Sequence, residues 1–302
     1  MILCLWPQCN NRCLMCTNPP DFYRQADLYE KDKILGRIRV ASQKEKQPES
    51  LLLTGGEPTI HPNFLEILAE TRKLLPETQI KILTNGRTFF YENFAREVLA
   101  TPNLSLTFSF CGPRAEVHDA VVRSKGSFEQ AAAGLKNVLR RRLSSHHVEI
   151  RIVLTRILLR ENKEMFEWLE GNFAEVDTIV FLFPEIEGIC EENLEIIVPT
   201  YEQVLQSDFF KNFQAQRKNF KDLRLYHFPL CVVPANLWGS VWRTMDAADV
   251  GLVKKCQKCL YSRLCLGIPV GYEKFFGTEE FAPLLTKKKI KTTNDKFHPI
   301  GL

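Results

Sequence analysis

The 302 residues carry 45% hydrophobic and 25% charged side chains, the balance of a globular chain able to bury one large or two modest cores, which excludes a disordered tail or a disulfide-stapled miniature. Forty Lys and Arg against 36 Asp and Glu leave a net charge of +4, too slight over this length to imply a nucleic acid or an anionic membrane as partner. Ten cysteines are the unusual number. They include two groups, Cys9/Cys13/Cys16 and Cys231/Cys256/Cys259/Cys265, whose short gaps are the spacing of metal ligation rather than of an oxidised secreted scaffold.

The N-terminal apolar run ends at Pro7 without a basic lead, too short for a signal peptide, and no stretch approaches the roughly 18 to 20 apolar residues of a membrane helix. A cytoplasmic location with no membrane partner is therefore expected, and there thiolates stay available to metals. In chain order, short apolar runs predict strands at Ile2 to Trp6, Leu51 to Thr54, Gln79 to Thr84, Leu104 to Phe110, Val148 to Leu154 and Thr178 to Phe183. Helical patterns lie between them, around Asp27 to Ser42, Asn63 to Leu74, Tyr91 to Leu99, Ser127 to Leu143 and Lys163 to Asn172, with Ser127 placed to cap the fourth. This alternation predicts an α/β fold of repeated βα units around a mostly parallel sheet. Past about Glu185 the alternation stops. The chain therefore divides into a core at 1–190, a cysteine-rich extension at 191–286 and, from Lys287, a basic solvated tail for which nucleic-acid binding is not expected.

Cys9, Cys13 and Cys16 directly follow the first strand. Three cysteines on a [4Fe-4S] cube would leave one iron open to an exogenous ligand, whereas a structural zinc would need a fourth protein ligand from elsewhere. Spacing alone leaves both open. The second strand ends in Leu53-Thr54-Gly55-Gly56-Glu57-Pro58, where the glycines allow a close backbone approach and the carboxylate can hold an ammonium. In the extension, Cys256, Cys259 and Cys265 with Cys231 upstream supply four thiolates, by spacing alone equally suited to zinc or to a complete cluster.

The cysteine loop after the first strand and the Gly55-Gly56-Glu57 segment after the second together resemble the radical S-adenosylmethionine (SAM) superfamily. Met15 stands where the family often has an aromatic residue. The resemblance implies a partial (β/α)6 TIM-like barrel with a [4Fe-4S] cluster on Cys9, Cys13 and Cys16. It implies SAM contacts from Thr54, Gly55, Gly56, Glu57, Asn85, Ser109 and Arg123. The activity implied is reductive cleavage of SAM to a 5′-deoxyadenosyl radical that abstracts hydrogen from a substrate, with an electron donor such as flavodoxin or ferredoxin.

The second cysteine group is similar to the auxiliary extensions called SPASM or twitch, and implies one further [4Fe-4S] cluster on Cys231, Cys256, Cys259 and Cys265. Within the superfamily, Cys9 to Pro20, His118-Asp119 before Gly126-Ser127-Phe128, and Pro229-Leu230-Cys231 with Pro234 and Leu237-Trp238 resemble the His-Xaa-Ser-system maturases, which implies a peptide or protein side chain as substrate. The molybdenum-cofactor GTP cyclase is also similar, though it has a longer C-terminal cysteine gap and a Gly-Gly terminus; it would imply a nucleotide or other small molecule. A reading from another class is a zinc-binding interaction protein without catalysis. Cys111, Cys190 and His118 follow predicted strands or sit in loops near them, and are the candidates for direct contact with substrate.

Overall fold

A computed structural model describes residues 1–302, the side chains of residues 25–28 excepted. One compact unit comprises Met1–Cys13, Asn18–Phe110 and Arg114–Arg151. In it β1 (Ile2–Trp6), α1 (Lys31–Ser42), β2 (Ser50–Gly55), α2 (Phe64–Leu74), β3 (Gln79–Thr84), α3 (Glu92–Leu99) and β4 (Leu104–Phe110) alternate, followed by α4 (Ala115–Val122), α5 (Ser127–Arg141) and most of β5 (His147–Val153). Strands β1 to β4 pair in parallel, Ile2 opposite Leu52, Ser50 opposite Gln79 and Ile80 opposite Leu104. Leu51 and Leu53 are fully buried between half-buried neighbours, and β4 is buried along nearly all its length, as strands covered on both faces are. The helix expected from Asp27 begins at Lys31, and the side chain of Asp27 lies outside the described residues.

The second unit, Leu14–Thr17, Cys111–Pro113 and Ile152–Leu302, contains α6 (Arg156–Arg160), α7 (Asn162–Phe173), β6 (Thr178–Leu182), α8 (Ile189–Glu192), α9 (Leu194–Ile197), α10 (Tyr201–Gln206) and α11 (Phe209–Gln216). It continues with β7 (Leu223–Tyr226), β8 (Val241–Trp242), β9 (Val250–Gly251), β10 (Ile268–Pro269) and α12 (Val270–Phe276). Its core is aromatic: Phe166, Phe181, Phe209 and Phe213 pack together, and Phe183 stacks on Tyr201 at 3.9 Å. Strand order follows chain order from β1 to β8. The six predicted strands are all present, their ends displaced by one residue at most. Strands β7 and β8 escape a reading of apolar runs because they have four and two residues. The two units divide within β5, whereas the change in composition comes near residue 190.

Three local expectations are corrected. Ser127 does not cap α5; it is the helix's first residue, and Asp119 takes the orphan amides, accepting from Gly126 N at 2.6 Å and Phe128 N at 2.8 Å. His118 is not in a loop. It lies in α4, 1% exposed, with Phe110 and Phe128 against its ring and Ser127 Oγ 3.3 Å from Nε2. The tail from Lys287 is not a loose end: Thr292 bridges Ile300, Gly301 N donates to Lys291 O at 2.8 Å, Ile300 is buried, and the His298 ring stacks on Trp242 at 4.4 Å.

Burial lowers the pKa of His118 to about 4, with Asp119 opposing and Arg87 assisting. The folded value lies below the unfolded one, so the stability contributed by the neutral ring is complete above about pH 6.5 and is lost as pH falls toward 4, by up to about 1.4 kcal/mol per pH unit. Urea unfolding at about pH 7 and about pH 4.5 should therefore show a loss that is smaller in His118→Phe than in the wild type by about 2 to 3 kcal/mol. Equal losses in the two proteins would show that this histidine does not titrate on unfolding.

Candidate functional site

The C-terminal ends of β1, β2 and β3 gather most of the predicted site residues of the first unit, as a parallel sheet gathers its active site. The chain leaves β1 through a bulge after Cys4, and its next carbonyls lie directly against the end of β2. A Cβ on Gly55, whose φ is +138°, would lie 2.3 Å from Trp6 O, and one on Gly56 would lie 2.4 Å from Gln8 O. The two glycines thus admit the backbone that carries Cys9. Gly56 N donates to Trp6 O at 2.7 Å and Glu57 N to Gln8 O at 2.8 Å, fixing the base of the cysteine loop on β2. Thr54, one residue earlier, is half-buried and pairs across to Cys4.

Glu57 is 1% exposed and faces inward. Its Oε1 accepts from Thr59 N (3.1 Å), Thr59 Oγ1 (2.6 Å) and Thr84 Oγ1 (2.7 Å), and its Oε2 from Asn85 N (2.6 Å). Burial raises its pKa, and these four donors offset only part of that rise. The carboxylate anticipated as an ammonium ligand therefore spends its oxygens tying the end of β3 to the end of β2. What it presents outward is Asn85, whose Nδ2 donates to Asn10 Oδ1 at 2.7 Å and stands 3.9 Å from Cys9 Sγ. Asn11 N also donates to Cys9 Sγ, at 3.4 Å.

Sequence reasoning missed Arg87. Its Nη1 donates to Asn10 O (2.5 Å), Asn11 Oδ1 (2.8 Å) and Ser124 Oγ (2.9 Å), while Nε donates to Gln130 Oε1 at 2.7 Å. One guanidinium thus holds the cysteine loop to the α4–α5 turn and the first turn of α5, a use of its planar fork that a lysine could not copy. The available signal was its place directly after Thr84-Asn85-Gly86 at a strand end. Arg123, by contrast, is exposed at the end of α4 with φ +50°, and Ser109 is half-buried on β4.

Cys9 and Cys13 belong to the first unit and Cys16 to the second, where Cys16 O accepts from Cys190 N at 3.0 Å. The Cys190 thiol is fully buried, and burial, with Cys16 nearby, pushes its pKa up to about 12. Burial alone does the same to Cys111. Both are thus held as neutral thiols rather than as exposed nucleophiles.

The second cysteine group converges. Cys231, Cys256, Cys259 and Cys265 line one small, partly open pocket with apolar walls that include Leu230, Ile268, Phe281 and Leu284. Antiparallel pairing of β9 with β10 closes the 252–267 loop that carries three of them. Cys231 arrives from the turn after β7, which Trp238 braces by donating from Nε1 to Leu230 O (3.1 Å) and Val233 O (2.9 Å). Leu230 N and Gly267 N donate to Cys265 Sγ at 3.3 and 3.5 Å. Burial raises the pKa of Cys231 to about 12 and that of Cys256 and Cys265 above the usual thiol value, so a cationic group must displace their protons. Thiols around an apolar pocket, with amides already aimed at one sulfur, fit a group that takes thiolate ligands and hydrogen bonds to its sulfurs. Among the described residues no group of three or more His, Cys, Asp or Glu is placed to hold a single metal ion.

Residues 3–169 match the Radical SAM superfamily. The chain belongs to the radical SAM superfamily. Membership implies a [4Fe-4S] cluster and SAM, and Asn11 N and Asn85 Nδ2, both directed at Cys9 Sγ, suit a sulfur that ligates such a cluster. Among curated relatives, this radical SAM chain is 24% identical over 264 residues to the antilisterial bacteriocin subtilosin biosynthesis protein AlbA of Bacillus subtilis, covering 82% of this chain and 52% of AlbA. It is 34% identical to the mycofactocin maturase MftC of Mycobacterium tuberculosis over 44% of this chain and 32% of MftC. It is 25% identical to the GTP 3′,8-cyclase of Petrotoga mobilis over 44% of this chain and 40% of that enzyme. The chain spans about half the length of the first of these relatives and less of the others. In fold it is similar to Streptococcus suis SuiB bound to precursor peptide SuiA, with TM-score 0.54, 14% identity and coverage of 74% of this chain and 48% of that one. It is likewise similar in fold to anSMEcpe with bound AdoMet and a peptide, with TM-score 0.55, 17% identity and coverage of 74% and 63%. Among the described residues no helix is long and apolar enough to cross a membrane.

Proposed function

We propose that this protein cleaves SAM reductively and directs the resulting radical at a peptide or protein side chain, with Cys9, Cys13 and Cys16 holding the SAM-binding cluster and Cys231, Cys256, Cys259 and Cys265 an auxiliary one. A reduced cluster held by Cys9, Cys13 and Cys16 would supply the electron for reductive cleavage of SAM to methionine and a 5′-deoxyadenosyl radical, which would take a hydrogen atom from substrate. The observation that carries the reading is the tie of the cysteine loop to β2 and β3 inside the region that matches the superfamily.

The residues divide this work. Thr54, Gly55, Gly56 and Asn85 offer backbone and amide groups at the strand ends to the methionyl part of SAM, while Ser109 and Arg123 are the candidates for its ribose and carboxylate. Glu57 acts behind them, as the tie that orients Asn85. Peptide is preferred over nucleotide because the match to AlbA runs over 264 residues and so reaches into the second unit, while the match to the GTP cyclase stops at 134. An electron donor of the flavodoxin or ferredoxin class completes the reaction.

Anaerobically purified protein should be brown, bind about 8 iron atoms per chain and form 5′-deoxyadenosine from SAM and dithionite. Deuterium transferred into that product from a labelled peptide, drawn from any short reading frame found beside this gene, would establish the substrate class. Colourless protein with stoichiometric zinc and no cleavage would point to the interaction protein, and deuterium transfer from a nucleotide would replace the peptide.

A further inference from the structure

The structure assigns the rim of the auxiliary cysteine cavity a second role: we propose that it is the docking face for an acidic one-electron carrier protein. This rests on the reading of that cavity as a cluster site.

Two stretches of chain flank the residues that line the pocket, one on either side of Lys255-Cys256 and one just past Leu284. The turn Lys254–Lys258 carries Cys256 and presents Lys254 and Lys258 to solvent, with Arg263 following before Cys265. The run Lys287-Lys288-Lys289, expected to be a loose tail, is instead fastened beside it. Leu260 N donates to Leu284 O at 3.0 Å, the Tyr261 hydroxyl donates to Thr286 O at 3.3 Å, and Lys288 N donates to that same hydroxyl. Behind this run, Arg243 donates to Lys296 O at 2.9 Å and to Arg263 O at 3.0 Å, so the C-terminal turn and the cysteine loop are held by one side chain. The result is a basic rim drawn from sequence positions some thirty residues apart. Lys255, within that turn, lines the pocket and pairs with Glu279 at 3.2 Å.

The rim also has what electron transfer needs. Cys256 and Cys259 both line the cavity and are partly exposed, which puts two ligands of any bound cluster near the surface, and transfer rates fall steeply with distance. Leu252, Leu260 and Leu285 are 56%, 51% and 67% exposed, a small apolar contact amid the lysines. Short-lived redox complexes use small interfaces steered by opposite charge. A carrier that presents carboxylates around its own redox group fits this face.

The test uses the full-length protein carrying both clusters, with Lys254, Lys258, Lys287 and Lys288 all changed to Glu, and a second variant with the same four changed to Gln. Stopped-flow oxidation of reduced flavodoxin, an acidic carrier, should slow at least about tenfold in the Glu variant and by less in the Gln variant, and the wild-type rate should fall as salt rises. Formation of 5′-deoxyadenosine driven by dithionite should stay within about twofold of wild type, because a small reductant needs no docking face. Unchanged flavodoxin rates, or equal losses with flavodoxin and dithionite, would overturn the proposal. So would a Glu variant that loses affinity for an acidic peptide while keeping its flavodoxin rate. Iron analysis separates the two layers: a charge-independent rate in protein with about 8 iron defeats the docking face alone, whereas about 4 iron with zinc in the cavity defeats the cluster reading beneath it.

Discussion

Cys13→Ala should reduce 5′-deoxyadenosine formation to background and lower bound iron by about four atoms per chain, leaving the auxiliary complement in place. Cys13 lies in the loop whose base is fastened to β2, and the backbone bonds that fasten it, from Gly56 N and Glu57 N, involve no cysteine side chain. The variant should therefore fold and melt close to the wild type. Folding, iron and turnover thus separate in one protein: calorimetry reports the first, iron analysis the second, and chromatography of the SAM products the third. Cys265→Ala gives the complementary result, losing about four iron atoms from the other site. A Cys13→Ala protein that still cleaves SAM would remove these cysteines from the chemistry.

The second large effect is on stability. In Glu57→Gln the side chain keeps its length but has one carbonyl oxygen where the carboxylate had two acceptors. Thr59 N and Asn85 N are obligate donors that face opposite oxygens of Glu57, so the amide NH2 must confront one of them. Burying that mismatch costs about 2 kcal/mol, and the melting temperature should fall by roughly 4 to 8 °C. Because Asn85 loses its orienting partner, SAM affinity and turnover should fall together. A variant as stable as the wild type would mean that the ends of β2 and β3 hold together without this carboxylate.

Much of the fold was legible because each strand of the first unit is a short apolar run closed by polar or glycine residues, and parallel strands covered on both faces leave that mark. The two cysteine groups stood out for a similar reason, since candidate ligands to one group are close in sequence or are brought together by a motif. Glu57 shows where this stops. A carboxylate beside two glycines reads as a ligand, but its direction depends on Thr59, Thr84 and the Asn85 amide, which meet it only after β2 and β3 pair. His118 and Asp119 were noticed as a pair and misplaced, because a buried histidine and a remote capping carboxylate have no local periodic signature. The basic run at 287–289 misled for the opposite reason: its composition is that of a tail, and only the Tyr261 hydroxyl and the neighbouring backbone bonds hold it in place.

The carbonyls of Trp6 and Gln8 are locked onto Gly56 and Glu57 by backbone bonds alone. The loop's anchorage therefore owes nothing to iron. If the cysteines hold the cluster proposed above, a protein stripped by chelator should keep the doorway to them in register, so fresh iron and sulfide should restore it without synthesis of a new chain.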